Sequence, residues 1–387
     1  MGEHPVKVLQ VQIGGKTFSG VASYLYQYYK HMDHTRVKFD FLFCRENSME
    51  LVKNDPELKD SAFFVLNAVR GKSNDYLAIQ RGIHQILKEE HYDAVVVNTS
   101  IVAVIYSCML AMRGIKGTKF IAHAHNTDLV LGKNSLRAKF LIVAKALDGL
   151  MRIRIRKRAD YLFACTDAAG AMTFGQNAIR MDKYRLVKNA IDLEEFAFDS
   201  VVRGRVRKAL NTKESIKVYG NVGSFCKRKN QSFLIRTFEK IHKCQPNSEL
   251  WLIGDGNDRG LIEDLVTSLG LQDSIKLLGQ RSDVNELMQG MDFFVFPTLS
   301  EGLGIVAIEA QAAGLPTFVS DGVPRDVLIS ERAVMLELEK GENYWSNTIL
   351  KCKEPSNRID VRTEIANAGF NIQREAEGLT EFLCSML

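Results

Sequence analysis

The sequence predicts an α/β protein of two doubly wound parallel sheets that face each other across a cleft. Three observations predict it. The chain has 387 residues, more than one core comfortably serves and fewer than three full domains need. Short apolar runs that end in turns alternate with stretches spaced for helices, the pattern of strand–helix–strand units in a parallel sheet. That alternation lapses into a charged stretch at residues 194–210 and restarts at 217. The domain boundary is therefore placed at 200/201, with domains of residues 1–200 and 201–387.

The elements follow in order. Residues 6–13 alternate apolar and polar side chains and end in Gly14-Gly15, and helical spacing resumes at 21–29, so strand, glycine turn and helix open the chain. Further strands are read at 39–44, 93–98, 119–122 and 161–165, with helices at 76–89 and 101–112. The second domain reads as strands at 216–222, 249–253, 274–278, 293–297 and 316–319 with helices between them. Residues 361–387 read as a final helix that can pack back on the first domain. Doubly wound sheets bind ligands at the carboxyl ends of their strands, where loops lead into helix N-termini.

Composition narrows the function. With 46% hydrophobic and 25% charged residues the chain is globular rather than disordered. Its longest apolar stretches, such as 101–112, fall short of the roughly 20 residues of a membrane-spanning helix, and the N-terminus lacks the order of a signal peptide, so a cytoplasmic protein is expected. Seven scattered cysteines without a Cys-x-x-Cys pair point to reduced thiols rather than zinc or a disulfide framework. The net charge is +5 and is concentrated: residues 133–160 carry nine Lys or Arg, among them Arg152, Arg154, Arg156, Lys157 and Arg158, against two Asp. An anionic partner is implied. No stacking aromatics are interleaved with the cations, which argues against nucleic acid. Leu136, Phe140, Leu141, Val143, Ala144 and Leu147 recur at roughly helical spacing among Arg137, Lys139 and Lys145, as an amphipathic helix at an anionic membrane surface requires. Residues 152–156 alternate basic and apolar side chains, which fits a strand or an extended turn as well as a helix.

Several motifs carry chemistry. Gly14 and Gly15, with Gly20, let backbone amides approach a phosphate or sugar, though their spacing is not that of a dinucleotide site. Ser300-Glu-Gly-Leu-Gly-Ile-Val-Ala-Ile-Glu309 follows an apolar strand and reads as turn and helix. Gly302, Leu303 and Gly304 there offer free amides and a positive dipole end to a diphosphate, and Glu301 and Glu309 suit the vicinal hydroxyls of a hexose and a ribose on either side of it. A solvated Glu309 is disfavoured by the apolar residues around it. His123-Ala-His-Asn126 closes a strand of the first domain. A metal site there lacks further ligands, since only Asp128 is near.

The run Phe296-Pro-Thr-Leu-Ser-Glu-Gly-Leu-Gly-Ile-Val-Ala-Ile-Glu-Ala-Gln-Ala-Ala-Gly-Leu-Pro316 closely resembles the donor-site motif of retaining GT-B glycosyltransferases, glycosyltransferase family 4, and is similar to those of bacterial capsular and exopolysaccharide synthesis. Val222-Gly-Ser-Phe-Cys-Lys-Arg-Lys-Asn230 resembles the family's diphosphate loop, with Lys229 as the binding lysine. Leu252-Ile-Gly-Asp-Gly256, containing Gly254, and Leu278-Gly-Gln-Arg-Ser-Asp-Val284 resemble its second turn and its base-reading loop, the latter acting through backbone near Gln280 and Arg281. Cys165-Thr-Asp-Ala-Ala-Gly, Phe174-Gly175 and Lys188-Asn-Ala-Ile-Asp192 also match. Ser224 departs from the pattern, standing where the family commonly has an Arg.

The resemblance implies two Rossmann-like domains, the first binding acceptor and the second nucleotide sugar. It implies hexosyl transfer from a nucleotide-diphosphate sugar, UDP-linked, to an acceptor hydroxyl with retention, and without metal or cofactor. His125, Lys229 and Glu301 are then the catalytic residues, and Gly14, Gly15, Ser224, Gly254, Gln280, Arg281, Gly302, Leu303, Gly304 and Glu309 complete the donor site. The implied acceptor is a glycan intermediate, lipid-linked, at the inner face of the plasma membrane. A nucleotide-sugar epimerase and a non-catalytic sugar-nucleotide-binding module are the alternatives.

Overall fold

The computed structural model describes residues 4–12, 20–43, 56–66, 69–70, 73–125, 138–352 and 358–386. They form two compact units, residues 1–190 with 372–387, and residues 191–371.

In the first unit the strands are β1 (Val6–Gln12), β2 (Val37–Phe43), β3 (Phe63–Val65), β4 (Ala94–Asn98), β5 (Lys119–Ala124), β6 (Tyr161–Ala164) and β7 (Tyr184–Leu186). The helices are α1 (Gly20–Lys30), α2 (Tyr76–Glu89), α3 (Val102–Ala111), α4 (Ala138–Arg158) and α5 (Asp167–Phe174). Among the described residues the sheet is parallel throughout, in the order β3-β2-β1-β4-β5-β6-β7. Both faces are buried, which explains the near-continuous apolar runs. Val6, Val8 and Val96 face one core with Tyr24 and Tyr28 of α1, while Leu9, Val11 and Val97 face the other with Ile83 of α2 and Ile105 of α3. Local caps start the helices where the sequence has polar residues: Asp75 accepts from the Ala78 amide at 3.0 Å, and Thr166 from the Ala169 amide at 3.1 Å.

The alternating stretch 152–156 is helical, as the last part of α4. Ile155 is fully buried, and Arg152 and Arg156 turn inward to donate to the carbonyls of Met172 and Phe174 at the end of α5. Those bonds satisfy carbonyls that a helix C-terminus leaves open.

The second unit contains α6 (Leu193–Phe196), α7 (Ser200–Ala209), β8 (Lys217–Val222), α8 (Gln231–Cys244), β9 (Ser248–Ile253), α9 (Arg259–Ser268), β10 (Ile275–Gly279), α10 (Val284–Gly290), β11 (Phe293–Phe296), α11 (Ile305–Ala312), β12 (Thr317–Ser320), β13 (Ala333–Leu336), α12 (Gly341–Lys351) and α13 (Arg362–Asn367). Its parallel sheet has the order β10-β9-β8-β11-β12-β13. Alternate residues again feed two cores: Trp251, Phe294 and Phe296 one, Leu250, Phe293 and Val295 the other.

Two features differ from the sequence reading. The charged stretch 194–210 belongs wholly to the second unit, and the units part at 190/191 rather than 200/201. Leu193, Phe196 and Val206 enter the second core, and Arg207, 1% exposed, bonds Asp292 at 2.6 Å and the Gly290 carbonyl at 2.9 Å. The final segment is two helices, not one. Gly369 takes φ +81 and ends α13, with the Phe370 amide reaching back to the Ile365 carbonyl at 3.2 Å. The last helix, α14 (Ile372–Ser385), then lies in the first unit, where Ile372, Ala376, Leu379 and Leu383 join the core of α1 and Phe382 meets Tyr161 edge-on at 4.8 Å.

Candidate functional site

Each sheet reverses its strand order beside its first strand, between β1 and β4 in one unit and between β8 and β11 in the other. Ligands of such sheets settle at the carboxyl ends of those strands. One constellation of the singled-out residues stands at each of these places.

In the second unit, β11 leads through Pro297 and Thr298 into the loop that carries Glu301 and then into α11. Gly304, at φ +84 and ψ 47, turns the chain into the helix, a conformation that favours glycine. The loop is hydrogen-bonded to the one after β8: the Leu299 amide donates to the Arg228 carbonyl at 2.7 Å, Thr298 Oγ1 to the same carbonyl at 3.0 Å, and Asn230 Nδ2 to the Pro297 carbonyl at 3.1 Å. Gly322 allows this packing, because a Cβ there would lie 2.6 Å from the carbonyl oxygens of Thr298 and Leu299.

The loops bring three charges together. Lys229 Nζ lies 2.6 Å and Arg228 Nη1 2.8 Å from Glu301 Oε1, and Thr298 Oγ1 lies 2.9 Å from the same oxygen. Arg228 Nη1 further donates to the Ser300 carbonyl at 2.9 Å, and the Lys229 ammonium sits 4.7 Å over the Phe296 ring. Burial pulls the Lys229 ammonium below the usual lysine range, opposed by the Glu301 charge. Burial raises the Glu309 carboxyl to about 7, with the Lys229 charge pulling the other way. One carboxylate thus lies between two cations while its neighbour on α11, Glu309, is poised to titrate. The amides of Gly302, Leu303 and Gly304 have no backbone partner among the described residues, and they stand at the positive end of α11.

The remaining second-unit candidates are placed less pointedly. Ser224 is exposed, its hydroxyl 3.7 Å from the Cys226 sulfur. The Gly254 amide donates to the Gly279 carbonyl at 2.8 Å, and a Cβ there would lie 2.1 Å from the Gly223 carbonyl oxygen, so this glycine lets two strand ends approach. Gln280 and Arg281 are exposed beyond β10, with the Arg281 guanidinium held by both oxygens of Asp283 at 2.7 and 2.6 Å.

In the first unit the singled-out histidine ends β5. His125 is 5% exposed and His123 1%. Their rings lie 4.0 Å apart, and Tyr24 of α1 packs against both, at 5.0 and 5.2 Å. His125 Nε2 lies 3.1 Å from Asn98 Oδ1. The Asn98 amide group donates to Gln10 Oε1 at 2.9 Å and to the Val96 carbonyl at 3.3 Å. Both amide hydrogens are therefore engaged, Oδ1 must accept, and Nε2 of His125 carries the proton. Its Nδ1 is left as a bare acceptor, buried and without a partner among the described residues. Burial lowers His125 to about 3, so the ring is neutral at physiological pH. The Ser100 hydroxyl receives the His125 amide at 3.1 Å and Cys165 Sγ donates to its carbonyl at 3.3 Å, fixing the backbone as well. Gly14, Gly15, Asn126 and Asp128 lie outside the described residues, as do Lys133, Leu136 and Arg137.

Sequence reading passed over Thr298 and Gly322 in one unit and Gln10, Tyr24 and Asn98 in the other. A signal existed for Gln10 and Asn98: amides standing in strands that are otherwise apolar.

The chain is similar to known proteins over nearly its whole length. The family model described as Glycosyl transferases group 1 matches residues 202–333, and the one described as Glycosyltransferase Family 4 matches residues 18–195. The EpsF protein of Bacillus subtilis (strain 168), a glycosyltransferase by name, is 28% identical, covering 98% of this chain and 96% of its own. The Escherichia coli enzyme named UDP-Gal:alpha-D-GlcNAc-diphosphoundecaprenol alpha-1,3-galactosyltransferase is 24% identical over 99% of this chain and 97% of its own. The crystal structure of Anabaena HepE in complex with UDP and glucose has a TM-score of 0.70 to this fold, covers 98% of each chain and is 17% identical.

Proposed function

The chain belongs to the group 1 and family 4 glycosyltransferases and has the GT-B fold, and from that premise we propose that it transfers a hexose from a UDP-linked donor to a hydroxyl of a lipid-linked saccharide, with retention and without a metal ion. The observation that carries this reading is the cluster of Lys229, Arg228 and Glu301 beside the open amides of α11. Two cations and a helix N-terminus suit a diphosphate, and they supply the positive charge that a leaving diphosphate needs. Glu301 bridges the two cations. When phosphate oxygens take its place, Glu301 turns to the sugar hydroxyls while Glu309 holds the ribose.

The bond from the anomeric carbon to the β-phosphate oxygen breaks as the acceptor oxygen attacks the same face, and the acceptor proton passes to the departing phosphate. His125 offers its unpartnered Nδ1 to a substrate hydroxyl and stays neutral. The lipid-linked acceptor is supported by the name of the E. coli relative, which contains a diphosphoundecaprenol substrate.

Incubation with a panel of nucleotide sugars, with and without undecaprenyl-diphosphate saccharides, tests the reading. It expects UDP release that depends on acceptor and a product of unchanged anomeric configuration. An isomerised sugar formed from donor alone identifies an epimerase, and saturable binding without turnover a binding module; either result overturns the proposal.

A further inference from the structure

The outer face of α4 is built unlike the other helix surfaces of the first unit. Leu147, Leu150 and Ile153 are 54%, 50% and 42% exposed, and Arg154, Lys157 and Arg158 are exposed beside them. At 100° per residue these six positions fall within an arc of about 140°, and they extend over about 16 Å of helix. Ile155 and Ala159 point the other way, into the core. A helix that merely covers a sheet puts its large apolar side chains on that inner side. Here a second apolar stripe faces water.

The cations of this face are also unlike the rest of the basic block. Arg152 pairs with Asp148 at 2.6 Å and, like Arg156, is occupied with the end of α5. Arg154 donates to the Tyr106 hydroxyl at 3.4 Å, and among the described residues no carboxylate pairs with Arg154, Lys157 or Arg158. Three apolar side chains continuing into three unneutralised cations match the boundary of an anionic bilayer, where the first enter the acyl margin and the second meet phosphates. A second copy docking through a two-fold axis sets like cations against each other. No helix among the described residues is long and apolar enough to cross a membrane, so this helix lies on the surface.

We propose that the face formed by Leu147, Leu150, Ile153, Arg154, Lys157 and Arg158 docks this protein on an anionic membrane. The inference rests on the lipid-linked acceptor proposed above and specifies which side chains bring the enzyme to it.

Flotation of the full chain with phosphatidylglycerol–phosphatidylcholine vesicles tests it. Wild type floats below about 0.1 M salt, where the screening length is about 10 Å or longer and the attraction persists, and not with phosphatidylcholine alone. Changing Arg154, Lys157 and Arg158 together to Ser lowers the partition coefficient by about a hundredfold, near fivefold per cation. Changing Leu147, Leu150 and Ile153 together to Ser lowers it at least about tenfold, at high salt as at low. A charge control, Lys208→Ser with Lys213→Ser and Arg236→Ser in the other unit, stays within about twofold. Circular dichroism and UDP calorimetry accompany each variant: retained UDP binding with failed wild-type flotation removes the membrane proposal alone, and absent UDP binding removes the donor reading. Equal loss in the charge control, unchanged flotation of both face variants, or a dimer seen by light scattering that the Leu147/Leu150/Ile153 variant abolishes without any flotation would overturn the docking face.

Discussion

Arg228 and Lys229 meet on one carboxylate oxygen, and that shared partner sets how the site should respond to mutation. Lys229→Ala is expected to weaken UDP binding by about 1.5–3 kcal/mol, the scale of a charge-assisted hydrogen bond. Arg228, more exposed at its side chain than Lys229, should lose about half as much, and Lys227, which is exposed and pairs with no carboxylate among the described residues, next to nothing. Calorimetry of the three alanine variants checks the order, and equal losses would replace a specific clamp by a diffuse basic patch. Glu309 brings pH dependence. Its folded pKa is raised from 4.5 to about 7, so its contribution to stability falls as pH climbs from the unfolded value and levels above about 7. On the donor reading proposed above, Glu309 holds the ribose hydroxyls as a carboxylate, so nucleotide binding should draw the proton off. UDP affinity is expected to rise from about pH 5.5 to 7.5, with proton release in calorimetry, and Glu309→Gln should flatten the profile. A slope that survives the substitution would exclude Glu309 as its source. Asn98→Ala frees the His125 ring to turn, and should cut turnover about tenfold with UDP affinity unchanged; a variant that keeps half its turnover separates Asn98 from the chemistry.

At the scale of elements, the donor loop depends on glycines for two different reasons. Gly304 is needed for its backbone angle and Gly322 for the room it leaves. Gly322→Ala forces a methyl group against two carbonyls and should cost about 1–3 kcal/mol of stability together with donor affinity. Gly260, in the first turn of α9 with open space around its missing Cβ, is the contrast: Gly260→Ala should leave stability unchanged or raise it by up to about 1 kcal/mol. Thermal unfolding of the pair tests this, and similar losses in both would remove the steric account. Strands buried on both faces and the helix at residues 76–89 were legible in the sequence because their signals are local. The helical end of α4 was not, since its alternating basic and apolar residues are reconciled only by the carbonyls of α5.

For the whole molecule, the chain leaves the first unit at residue 190 and returns to it at 372. The first unit is therefore incomplete without α14, whose Leu379, Phe382 and Leu383 pack with Tyr161 and Phe163. A chain ending at Asn371 should lose a few kcal/mol from the first unit while the second keeps its own unfolding transition and its UDP affinity. Scanning calorimetry with UDP present and absent measures both, and a truncated chain that melts like the whole would contradict the placement of α14.

The sequence by itself determined the two doubly wound sheets, the glycine-rich turn before α11 and the places of Glu301 in that turn and Glu309 on that helix, because periodicity, turn chemistry and a motif contiguous in the chain need no distant partner. Tertiary structure alone decided that Arg228 joins Lys229, that Gln10 and Asn98 set the His125 tautomer, that residues 194–210 serve the second core and that the last helix returns to the first. Each of these depends on groups far apart in the chain whose side chains meet only once the strands are in register, and a one-dimensional pattern carries no record of such meetings.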